Sequence, residues 1–129
     1  MRREAREIAF KLIFQSEFNN ETDVELSFIS ILEETNLGKD DKEFVNSLWE
    51  LYFANKLEIE NLIAKNLKDY EIHRVYKVDL ALLKLAITEI KFYKQTPTPV
   101  VVNEILELAK KYSTENSSKF LNGVLGVII

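Results

Sequence analysis

Apolar residues recur along this chain at helical spacing, and no stretch alternates at period two for the length of a strand. The opening segment, MRREAREIAFKLIF, is rich in strong helix formers. At 100° per residue it puts Ala5, Ile8, Ala9 and Leu12 on one stripe. Arg3, Arg6, Phe10 and Phe14 fall on a second stripe that points largely away from the first, which predicts a solvent-facing ridge of guanidinium groups and rings.

Downstream, Thr22-Asp-Val-Glu25 fits a capping box, and Val24, Phe28, Ile31 and Leu32 give a short amphipathic helix ended by Asn36 and Gly38. Asp40 and Glu43 start a long helix in which Phe44, Val45, Leu48, Leu51, Tyr52, Asn55, Ile59, Leu62, Ile63 and Leu67 hold helical spacing, with room for a bend. KDYEIHRVYK breaks the period and reads as a connector between two halves. Val78 to Tyr93 is apolar nearly all round, as in a helix enclosed by others. Thr98 is read as the cap and Pro99 as the first turn of the next helix. Ser113 to Asn116 turns the chain into a last helix through Phe120, Leu121, Val124, Leu125 and Ile128, in which Gly123 is expected to admit a neighbouring backbone. The fold class is therefore all-α.

The chain has 129 residues and no cysteine, enough to bury a core without disulfides and with no thiolate for a metal. A single histidine, His73, sits in the connector and is read as a surface or packing residue. No apolar run reaches membrane-spanning length and the start does not resemble a signal peptide, so a soluble cytoplasmic protein is expected. The formal charge of −4 is unevenly spread. Residues 21–71 hold thirteen carboxylates against five lysines, a net −8, which leaves +4 for the remainder. An acidic protein of this kind has room for a local anion-binding face.

Chemistry for catalysis is sparse. There is no glycine-rich phosphate loop, no Gly-x-Ser-x-Gly elbow and no Glu-x-x-His pair, and Glu104 and Glu107 read as a solvated face. Binding is better supplied, since single-stranded RNA is held by cations along its phosphates and by flat side chains under its bases. Arg2, Arg3, Arg6 and Phe10 offer both on the first helix. Lys110, Lys111, Lys119 and Phe120 bracket the Ser-Thr-Glu-Asn-Ser-Ser turn, whose hydroxyls and helix-start N–H groups are candidate phosphate ligands. The alternative from pattern alone is that the rings cover a neighbouring helix and the cations are ordinary solvated surface.

Near its end the chain reads VVVNEILELAKKYSTENSSKFLNGVLG, which resembles the hallmark of the NusB family of bacterial transcription antitermination factors. RREAREIAFKLIF is similar to that family's arginine-led first helix, and VDLALLKLAITEI to its central helix. The resemblance implies two packed antiparallel helical bundles, residues 1–70 and 71–129, with no enzymatic activity and no cofactor. It further implies pairing with NusE, a small-subunit ribosomal protein, and joint binding of single-stranded boxA RNA in ribosomal RNA leader transcripts. The assembly then joins the elongating RNA polymerase and suppresses premature termination.

Carried over by motif, the RNA contacts are Arg2, Arg3, Arg6, Lys119 and Phe120, beside Phe10, Lys110, Lys111 and Asn116. Asn116 stands at a turn position that is acidic in some members, and Gly126 where the motif usually has an acid. Phe14, at a place usually held by tyrosine, and Asp79 are the residues expected to face NusE. Two other readings are an RNA-binding module of a ribosomal RNA cytosine methyltransferase without its catalytic domain, and a helical scaffold that binds protein alone.

Overall fold

The computed structural model describes residues 2–18, 21–67 and 71–129, without the side chains at 21, 22 and 24. The capping box read at Thr22 and the connector residues Lys68, Asp69 and Tyr70 thus lie outside the described set. The described residues form seven α-helices and no strand: α1 (Arg2–Ser16), α2 (Glu21–Glu34), α3 (Lys39–Ala54), α4 (Lys56–Lys65), α5 (Lys77–Ile87), α6 (Thr98–Tyr112) and α7 (Ser117–Ile128). A single 3-10 turn, Ile72–Arg74, precedes α5, and a π-helical turn, Thr88–Tyr93, extends it.

Helix α5 is the centre of the molecule. Every residue from Asp79 to Ile87 is buried, against α1, α3, α4, α6 and α7. Two charged residues interrupt that surface, Asp79 at its start and Lys84. Lys84 is 1% exposed, and its ammonium donates to Glu17 beyond the end of α1 and, at 3.1 Å, to Glu60 on α4. A charge so enclosed is tolerable because carboxylates receive it, and the ion pairs tie three helices together.

Four local expectations are corrected. The long helix is two helices, broken at Asn55, whose φ of −119° and ψ of 17° leave the helical region. Its amide Nδ2 donates to the Leu51 carbonyl and satisfies the break, so α3 packs on α1 while α4 packs on α5 and α7. Helix α6 is capped by Pro97 with no side-chain hydrogen bond, and Thr98 is already its first residue. Gly123 is exposed, and a Cβ built there would meet nothing within 4 Å, so it admits no neighbouring backbone. Beyond Ile87 the Lys94 N–H bonds the Glu89 carbonyl five residues back, at 3.0 Å, which marks the wide turn; Lys94 then leaves in the left-handed region with φ 61°.

Candidate nucleic-acid interface

The second stripe of α1 does not form a free ridge. Packed against α2, α3 and α5, this helix buries Ala5, Arg6, Ala9, Phe10, Leu12 and Ile13. Arg6 lies inside, its Nε donating to Glu89 Oε1 at 2.8 Å and its Nη2 to Oε2 at 2.7 Å. Burial acts to lower the Arg6 pKa, but Glu89 outweighs it and keeps the guanidinium charged. Phe10 is buried as well, 5.3 Å from the ring of Tyr112 on α6. Arg6 and Phe10 are thus core residues, and the expectation that they meet RNA is withdrawn. The period of α1 was read correctly; what failed was the assumption of a single covered side.

Arg2 and Arg3 remain exposed. The Arg2 guanidinium lies 4.2 Å from the ring centroid of Phe44 and 3.7 Å from Asp41, drawn toward α3. Arg3 reaches across to α6, its Nε and Nη2 donating to Glu104 at 2.9 and 3.1 Å. Near the other end of α6, Lys111 donates to both oxygens of Glu7 at 3.0 Å, and Tyr112 adds its hydroxyl. Lys110 pairs with Glu107 at 3.3 Å. Between α1 and α6 these six charged side chains line a shallow groove of about 330 Å³. The hydrogen bonds from Arg3 hold the Glu104 carboxyl below its ordinary pKa. Burial acts to raise the Glu7 pKa, but Tyr112 and Lys111 outweigh it and hold that carboxyl low. Glu104, read as solvated, is largely covered by Arg3.

A second depression, of about 520 Å³, opens where α7 begins, lined by Arg74, Tyr76, Thr114, Asn116 and Phe120 among others. Asn116 and Phe120 therefore share a site, with Lys119 exposed on the same helix. Three of the four hydroxyls of the turn are committed elsewhere: Ser113 and Ser117 both donate to Asp79, the latter at 3.0 Å, and Thr114 bonds Ser117. They are not spare phosphate ligands. Asp79, expected at a protein interface, is 6% exposed and serves as the acceptor that anchors the α6–α7 turn to the start of α5.

Phe14 is half-buried, at the middle of an aromatic run in which Phe10 lies 6.1 Å on one side and Phe18 5.1 Å on the other. Phe18 is 60% exposed and was missed by the sequence reading, although the spacing of four from Phe10 through Phe14 to Phe18 was there to be read. Arg74 and Tyr76 were missed because nothing in an irregular connector predicts which residues face α7.

The profile of the NusB family matches residues 3–129. A transcription antitermination protein NusB of Acetivibrio thermocellus is 41% identical over 128 residues, covering 99% of this chain and 88% of that protein. The solved NusB of T. maritima superposes with a TM-score of 0.91 at 38% identity, over 99% of this chain and 89% of its own. A crystal structure of antitermination factors NusB and NusE in complex with dsRNA contains a chain that superposes with a TM-score of 0.86 at 32% identity, over 98% of this chain and 94% of its own.

Proposed function

Because this chain belongs to the NusB family, we propose that it is a transcription antitermination factor: a non-enzymatic adaptor that pairs with NusE and binds boxA RNA of ribosomal RNA leader transcripts. It acts in the cytoplasm, on the elongating RNA polymerase, through that assembly. The observation that carries this reading is the likeness, over nearly the whole chain, to a protein crystallised with NusE and RNA. The RNA-facing residues are Arg3, Lys110 and Lys111 beside the α1–α6 groove and Arg2 on the α3 side of α1, with Asn116, Lys119 and Phe120 at the start of α7. Phosphates are met by the cations, and an unstacked base lies against Phe120.

The NusE side is the end of the aromatic run, Phe14 with Phe18. Asp79 acts instead on the RNA side, indirectly, by fixing the turn that carries Asn116. The test is binding of labelled boxA RNA with purified NusE across a range of salt. The parent protein is expected to show a log–log slope of about −0.7 per phosphate neutralised. Arg3→Ala, Lys111→Ala and Phe120→Ala are each expected to weaken binding, the first two with a flatter slope. Unchanged affinity in all three would overturn the site assignment.

A further inference from the structure

The α1–α6 groove carries as many carboxylates as cations. Arg3, Lys110 and Lys111 are matched by Glu104, Glu107 and Glu7, each pair within 3.3 Å. The two partners are not equally placed. The Arg3 and Lys111 side chains are 64% and 59% exposed, while Glu104 and Glu7 beneath them are 16% and 20% exposed. Both carboxyls are held below their ordinary pKa by those contacts, so they stay ionised at neutral pH. Within the groove the three pairs cancel, with Lys11 also 3.6 Å from Glu7, and the Nε–Nη2 edge of Arg3 and two donors of Lys111 are already occupied.

Resting on the RNA-binding reading above, we propose that Glu7, Glu104 and Glu107 are specificity-determining residues. They offset the charge of Arg3, Lys110 and Lys111, so that an RNA phosphate gains the full charge of one of these cations only by drawing it off its carboxylate. Cations paired in this way exert a weaker long-range pull on polyanions, which lowers the sequence-independent part of the affinity that lysine and arginine otherwise supply. An RNA that also stacks a base and engages NusE gains enough to make the exchange; an arbitrary strand does not. The separation of two unit charges by about 4 Å in water corresponds to about a fivefold change in an equilibrium constant, which sets the expected scale per carboxylate.

The experiment compares labelled boxA RNA with a shuffled RNA of equal length, by fluorescence anisotropy, with and without purified NusE, for Glu7→Gln, Glu104→Gln and Glu107→Gln. Each variant is expected to bind shuffled RNA about fivefold more tightly than the parent. Each is also expected to steepen the log–log salt slope by about 0.7 for the cation released. The boxA gain is smaller, so discrimination falls. Glu107 is exposed and pairs one turn along its own helix, so Glu107→Gln keeps the fold whatever happens at the other two.

Folded glutamine variants that bind either RNA no more tightly, or with an unchanged slope, would overturn the proposal. Arg3→Ala and Lys111→Ala separate the two levels. If they weaken boxA binding while the glutamine variants strengthen nothing, the carboxylate screen is wrong and the RNA face stands. If they leave binding unchanged, the groove is no RNA face and both readings fall together.

Discussion

Arg6 and Glu89 form a two-pronged ion pair, at 2.8 and 2.7 Å, between α1 and the π-helical turn, with side chains 6% and 0% exposed. A pair so placed is expensive to break, because the surviving member is left charged and enclosed. Arg6→Ala and Glu89→Ala are each expected to lower stability by about 3 to 5 kcal/mol. The double replacement Arg6→Met with Glu89→Leu is expected to recover most of that loss. Urea unfolding followed by the fluorescence of Trp49, the sole tryptophan, measures all three.

Two phenylalanines should separate cleanly by readout. Phe10→Ala empties a site at the α1–α6 junction and is expected to cost about 3 to 5 kcal/mol of folding stability, with RNA affinity per folded molecule nearly unchanged. Phe120→Ala removes a half-buried ring. It is expected to cost about 1 to 3 kcal/mol in RNA binding and much less in unfolding. Paired denaturation and RNA titration on the same preparations decide the matter.

Stability should also depend on acid through Glu104. Its carboxyl is held below the ordinary value of 4.5 by hydrogen bonds from Arg3. As pH falls, the unfolded chain takes up this proton first, so the stability contributed is complete above the unfolded pKa and is lost as pH drops through the folded one. Between about pH 5 and about pH 3 the parent is expected to lose more stability than Glu104→Gln, and the two unfolding curves to converge. Parallel curves over that window would refute the assignment.

Asp79 accepts from Ser113 and from Ser117, the latter at 3.0 Å, in a nearly closed environment. Ser117→Ala is expected to cost about 1.5 to 3 kcal/mol, the range for a hydrogen bond to a charged group. Asp79→Lys is expected to unfold the turn and to lose NusE pairing and RNA binding together. If Asp79→Lys instead loses NusE alone with its stability intact, Asp79 touches that partner directly.

The helices were legible because helical periodicity and enclosure leave direct marks. The apolar belt from Val78 to Tyr93 predicts a central helix, and α5 is that helix as far as Ile87, a π-helical turn taking the rest. Caps and breaks were less legible, since Asn55 interrupts a periodic run through a local amide-to-carbonyl bond that competes with the helix and leaves no gap in the pattern. The site was half legible. Which residues carry charge on α1 and α6 is plain from sequence, but whether a cation is free depends on carboxylates about a hundred positions away, as with Arg3 and Glu104. Charge pairing over that distance has no periodic signature, and the exposed-stripe reading of Arg6 failed for the same reason.

The stretch from Thr88 to Tyr93 is π-helical, its backbone bonds spanning five residues where an ordinary turn spans four, as from the Lys94 N–H to the Glu89 carbonyl. An added residue of this kind rotates everything beyond it by more than a quarter circle about the axis. With it in place, Glu89 meets Arg6 and the Tyr93 ring meets Phe44 at 5.2 Å. Deleting one position there would swing the tyrosine off its seat on Phe44, the ring that Arg2 also lies over, so a shortened sequence would loosen the packing between α3 and the start of α1.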